Sequence, residues 1–151
     1  MQTKEFSAYD AVCQDKVLKV TGFVEDKEHR IWVSTWDNNG MIRLEKPFEP
    51  QSSSYQLYPS SGQNGTLPSA VLYKLAYDPH NNEIWVATAK GLAVLTDLEA
   101  TDAFTVYDAG ELGGDEIWTI YSDGKNIMWA SALGGGVNKV VKRKVAFRHD
   151  V

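Results

Sequence analysis

Cysteine is nearly absent. Cys13 stands alone in 151 residues, which excludes an internal disulfide and a paired-thiol zinc site and leaves the compartment open. Long apolar runs are missing too: no stretch approaches the ~20 residues that cross a bilayer. The opening MQTKEFSAYD lacks the apolar core of a secretory signal. Positive charge is in deficit, with 15 Lys and Arg against 20 Asp and Glu, and the net charge of −5 argues against a polyanionic partner. One basic run, Lys139 to Arg148, reads as a solvated strand edge. No segment sustains a 3.6-residue apolar period, so no long helix is expected. The chain also lacks HExxH, GxSxG and a phosphate-binding loop leading into a helix. It is therefore read as a protein that is not an enzyme and needs neither cofactor nor metal.

What the sequence does have is a repeat. VTGFVEDKEHRIWVSTWDNNGMIRL begins at Val20, VLYKLAYDPHNNEIWVATAKGLAVL at Val71, and EIWTIYSDGKNIMWASALGGGVNKV at Glu116. Each runs from an apolar strand to an Asp (Asp26, Asp78, Asp123) and a polar turn. An Ile/Met-Trp pair, a small-residue step and a Gly before a second apolar run follow. Tetrads with a terminal Tyr frame the units at Tyr9, Tyr58 and Tyr107, a period of 49 residues (58 − 9 and 107 − 58), and a looser copy follows at residues 145–148. Inside the frames, strands are expected at 19–24, 31–35 and 40–44, at 71–77, 84–88 and 91–95, and at 116–122, 127–131 and 136–141. These are short runs rich in Val, Ile, Trp, Tyr and Thr, bounded by Asp, Asn and Gly.

Four strands per ~49 residues is the pattern of a β-propeller blade. The predicted fold is therefore all-β, about three four-stranded antiparallel blades over residues 17–58, 69–107 and 115–149. Residues 4–10 would be an outer strand of a preceding blade. Trp32, Trp85 and Trp129 occupy one equivalent place, where each would bury on the order of 200 Å² between neighbouring blades. Asp26, Asp78 and Asp123 close turns by bonding backbone two residues on. All six are expected to be structural. Because propellers close with four to eight blades, three blades imply either a fragment of a longer propeller or a chain that completes a ring with copies of itself.

The skeleton V-x-x-I/L/F-x-x-D, then I-W-V/A-A/S-T/A, then Gly and an apolar residue resembles the two-component regulator propeller repeat. The resemblance covers nearly the whole chain in three drifting copies. It implies part of a periplasmic input domain of a membrane-anchored hybrid histidine kinase. That domain would recognise glycan-derived oligosaccharides and signal across the membrane.

Topology says where such recognition would occur. The second-to-third strand turns and the links between units should emerge on one face. That face would carry Trp36, Asp37, Asn38, Asn39 and Lys90, and the links 59–69 and 108–115 would add Glu111 and Asp115. Trp36 stands outside the repeated core position among polar neighbours. An aromatic plane beside amide and carboxylate groups suits a sugar ring, so these seven residues are the candidate ligand contacts. The alternative is a protein–protein or dimerisation scaffold without a small ligand. An oligosaccharide, further blades or a second copy are the expected partners; nucleic acid and membrane are not.

Overall fold

Short β-branched and aromatic runs separated by Asn, Asp and Gly pair with their nearest neighbours in sequence, and the result is three antiparallel sheets. The computed structural model describes residues 3–6, 18–46 and 54–141. The first sheet runs in order through β1 (Val20–Glu25), β2 (Ile31–Thr35), β3 (Met41–Leu44) and β4 (Tyr55–Tyr58). The second comprises β5 (Leu72–Asp78), β6 (Glu83–Thr88), β7 (Gly91–Leu95) and β8 (Phe104–Tyr107). A one-turn helix, α1 (Ala109–Leu112), leads to the third: β9 (Ile117–Ser122), β10 (Ile127–Ala132) and β11 (Gly136–Val141). These are propeller blades, as the repeat predicts. The strand expected at 145–148 and most of the one at 4–10 lie outside the described residues.

The sheets stack in one direction, with inner strand β1 against β5 and β5 against β9. Each sheet thus has a leading side, facing its predecessor, and a trailing side, facing its successor. Trp32 and Met41 on the first trailing side are buried with Leu72, Leu75 and Val86 of the second sheet. Trp85 and Leu92 repeat the arrangement against Ile117 and Ile120 of the third. Trp129 departs from the expected core role and is 38 % exposed. It points to the trailing side of the third sheet, where no described sheet follows to cover it.

The first seam is laced with charge. Asp26 accepts from the Trp32 indole Nε1 at 2.9 Å and from Arg30 Nε at 2.8 Å, while Arg30 also reaches Glu99 of the second sheet at 2.6 Å. Arg43 joins the same carboxylate at 3.4 Å and donates to the Tyr58 hydroxyl and the Leu98 carbonyl, each at 2.8 Å. The guanidinium carbons of Arg30 and Arg43 lie 5.8 and 5.5 Å from the Trp32 ring centroid, within the range of cation–π attraction. Burial raises the Asp26 carboxyl, but the bonds from Trp32 and Arg30 outweigh it and hold the group below its ordinary 3.8. Burial also pushes the Tyr58 phenol up to about 12. In the second seam Asp78 instead accepts from Asn81 Nδ2 at 2.8 Å, and Trp85 Nε1 is buried without a hydrogen-bond partner among the described residues.

Two turn devices recur. Asp26, Asp78 and Asp123 each accept a backbone N–H two residues on, at 2.8–2.9 Å. Gly40 and Gly91 take φ of +77° and +114°, and a Cβ there would lie 2.6 and 2.7 Å from the carbonyls of Tyr58 and Tyr107. The repeated Gly and the repeated Tyr are two halves of one contact. Thr35 and Thr88 close it by donating to the carbonyls of Gly40 and Gly91, both at 2.7 Å.

Gly91→Ala should cost at least ~2 kcal/mol in urea denaturation, since it pays both steric clash and positive φ. Gly62→Ala, at φ +77° in open space, should cost only about 1 kcal/mol. Asp26 and Glu99 both titrate below their ordinary values in the fold, Glu99 chiefly through its bond from Arg30. Carboxyls depressed in this way stabilise above their unfolded pKa and lose that contribution as pH falls through the folded one. Urea midpoints should therefore drop below about pH 5. Asp26→Asn, which leaves Arg30 with one anion fewer, should lower stability by about 3 kcal/mol at neutral pH and flatten the acid slope.

Candidate functional site

All three inner strands carry a bulge at the same place, between Val20 and Gly22, between Leu72 and Lys74, and opposite Ser131 and Ala132. The extra residue is Thr21, Tyr73 or Trp118, and a bulge re-aims its side chain. Thr21 and Tyr73 reach towards the following sheet and Trp118 meets Tyr73 from the third, at the end where the second-to-third strand turns emerge. Thr21 Oγ1 crosses the first seam and donates to the Leu72 carbonyl at 2.9 Å. Across the second seam Tyr73 stacks on Trp118, with ring centroids 4.8 Å apart and planes 2° from parallel.

Trp36 completes the group. It opens the turn between β2 and β3, and its backbone N–H donates to the Lys19 carbonyl at 2.9 Å. The same bond recurs from Ala89 to Val71 and from Leu133 to Glu116. The turn is held by Asp37, which accepts from Lys19 N at 2.5 Å and from Asn39 Nδ2 at 2.6 Å. Partial burial raises the Asp37 carboxyl, but these bonds outweigh it and keep it below its ordinary value. Thus fixed, the Trp36 ring meets Tyr73 edge to face at 6.4 Å. Trp36 and Trp118 remain 59 % and 51 % exposed. Aromatic residues from three successive sheets form one strip with two open indoles at its ends.

A carboxylate is fixed beside the strip. Glu116 Oε1 accepts from the Tyr73 hydroxyl at 2.7 Å. That bond, first among the causes, raises the phenol above its ordinary 10.0, so Tyr73 stays protonated as a donor. Asn38, at φ +67°, and Lys90 are exposed on the same face.

The other candidates are placed differently. Glu111 accepts from the Asp108 backbone at 2.8 Å and Asp115 from Ala109 at 3.0 Å, so both carboxylates serve to cap and brace α1. The link over residues 59–69 does not stay on the turn face. It runs down the outside of the first seam, where Leu67 is buried and Phe104 N–H donates to the Gly65 carbonyl at 2.8 Å. His29 sits at the opposite end of its sheet, 2.6 Å from Glu25. Among the described residues no three His, Cys, Asp or Glu side chains gather to hold a metal ion.

Tyr73 and Trp118 are the contributions that repeat-level reasoning misses. The signal was present: apolar residues recur at i and i+3 in Val20/Phe23, Leu72/Leu75 and Ile117/Ile120. A flat strand would give i and i+2, and the extra step betrays the bulge that turns the intervening residue outward.

No protein-family model and no curated protein matches the chain. Solved structures do. The extracellular domain of BT4673 from B. thetaiotaomicron, assigned to a hybrid two-component system, superposes with a TM-score of 0.66 at 18 % identity, over 93 % of this chain and 19 % of that one. PorZ, a surface component of the type-IX secretion system of Porphyromonas gingivalis, gives 0.61 at 14 % identity over 78 % of this chain and 17 % of that one. YCF48 from Cyanidioschyzon merolae gives 0.55 at 13 %, over 88 % and 41 %. The likeness shows the propeller fold, and the chain spans about a fifth of the two bacterial proteins' length.

Proposed function

We propose that the chain is a ligand-binding module in the extracytoplasmic propeller of a hybrid two-component sensor, and that it binds glycan-derived oligosaccharides on the turn face. The observation that carries this reading is the Trp36–Tyr73–Trp118 strip with Glu116 fixed against it. Open indole faces offer apolar planes to the C–H face of a pyranose. A carboxylate, an amide at Asn38 and an ammonium at Lys90 offer partners to its hydroxyls. The strip bridges three sheets and rests on bulges and turns held by backbone bonds, which spares the ordering cost of a flexible site. Its position is also suitable for a sensor, since a ligand spanning the strip touches two seams at once. The likeness of fold to an extracellular domain of a two-component system supports the setting.

Calorimetric titration of a panel of plant and host oligosaccharides tests this. At least one should bind saturably. Trp36→Ala and Trp118→Ala should each weaken it tenfold or more, equivalent to about 1.4 kcal/mol, while Glu111→Ala leaves affinity unchanged. No binding across the panel by the folded chain would reject the sugar reading and favour the interaction scaffold.

A further inference from the structure

The charges of the described residues are sorted between the two ends of the sheets. All six ion pairs among these residues involve His29, Arg30 or Arg43, in the first seam or at the end away from the turn face. At the turn face, Asp37, Asp108, Glu111, Asp115 and Glu116 stand against only Lys19 and Lys90 among the described residues. Two of these carboxylates are fixed next to the aromatic strip. Asp37 follows Trp36 in the chain and uses both oxygens to hold its own turn. Glu116 Oε1 accepts from the Tyr73 hydroxyl at 2.7 Å across the second seam, while Oε2 receives no bond from a described residue. Trp36, Tyr73 and Glu116 meet across the two internal seams, so their mutual placement is set by the three sheets themselves.

We infer that the strip selects uncharged oligosaccharides and rejects sugars bearing a carboxylate or a sulfate, with Glu116 as the specificity-determining residue. The inference rests on the sugar-binding reading above and narrows it to one ligand class. Two properties of a carboxylate act together here. It only accepts hydrogen bonds, so its open Oε2 is answered by a sugar hydroxyl, which can donate. A uronate or sulfate oxygen can only accept, and it leaves Oε2 unanswered. Like charges also repel, more strongly in a part-buried site than in bulk water. The Tyr73 hydroxyl holds Glu116 in place, so the carboxylate does not swing away to relieve that repulsion. Lys19 and Lys90 do not offset it, because each is exposed and carries its ammonium on a flexible, hydrated stem. A neutral sugar meets both demands, with C–H planes for the rings and hydroxyl donors for the carboxylate.

Calorimetric titration of the whole chain at low ionic strength tests this. The probes are neutral cello-, manno- and galacto-oligosaccharides, with oligogalacturonates and chondroitin disaccharides as the anionic members. The tightest ligand should be neutral, and oxidising its primary hydroxyls to carboxylates should weaken binding by about tenfold or more. Raising the salt to about 1 M, where the Debye length is about 3 Å, should narrow that ratio. Glu116→Gln removes the charge and keeps an acceptor for Tyr73, so it should narrow the ratio by about threefold or more. Glu28→Gln, which removes an equal charge from an exposed side chain at the opposite end, should leave the ratio as it is. An anionic tightest ligand, equal affinity for the oxidised form, a ratio unmoved by salt, or a folded Glu116→Gln with the ratio intact would each overturn the inference. All four outcomes leave the sugar-binding reading standing. Silence from every probe would reject that reading, and this inference with it.

Discussion

The burial of one sheet's tryptophan beneath the inner strand of the next sheet is the contact on which everything else in this chain depends. A single four-stranded sheet of this size cannot cover its own apolar faces, so it is stable only against a neighbour. Trp32 and Trp85 make that contact directional: each sits on a trailing side and is closed by the leading side that follows. The polar arrangement is then fitted to the local surroundings of each indole. Trp32 has Asp26, two arginines and Glu99 around it, whereas the Trp85 Nε1 is buried with no partner among the described residues. The first seam is thus held by charge as well as packing, and the second by packing and by the Tyr73–Trp118 stack.

That directionality also explains how a scaffold becomes a surface. The bulge that relieves the inner strand turns one residue per sheet towards the seam at its turn end. Where the residue is small, as Thr21, it simply bonds across. Where it is aromatic, as Tyr73 and Trp118, the seam opens onto the turn face as a ring stack, and Trp36 extends it onto the first sheet. The proposed ligand site is therefore made from the same contacts that hold the sheets together.

Much of this was legible in the sequence because the repeat constrains it. The strands fall within a residue or two of their expected bounds, since alternating branched residues between Asn, Asp and Gly leave little choice of pairing. The tyrosines at positions 58 and 107 mark outer strands because their carbonyls close on Gly40 and Gly91. What a single repeat unit does not reveal is anything set between units. Trp129 matches Trp32 in sequence but not in environment, because burial depends on the next sheet. The link over residues 59–69 looks like a polar surface loop until Leu67 and Gly65 are seen against the first seam. The capping box of Asp108 and Glu111 was readable as a helix start, and it takes Glu111 out of the candidate site.

The central claim is that a rigid pair of buried seams presents an aromatic strip at its turn end. Fluorine NMR of the chain labelled with 5-fluorotryptophan addresses it with five resonances, one per tryptophan. On titration with the best oligosaccharide, the resonances of Trp36 and Trp118 should move together while those of Trp32 and Trp85 stay fixed. Movement of Trp32 or Trp85 with Trp36 unmoved would place the ligand within the seams and contradict the account.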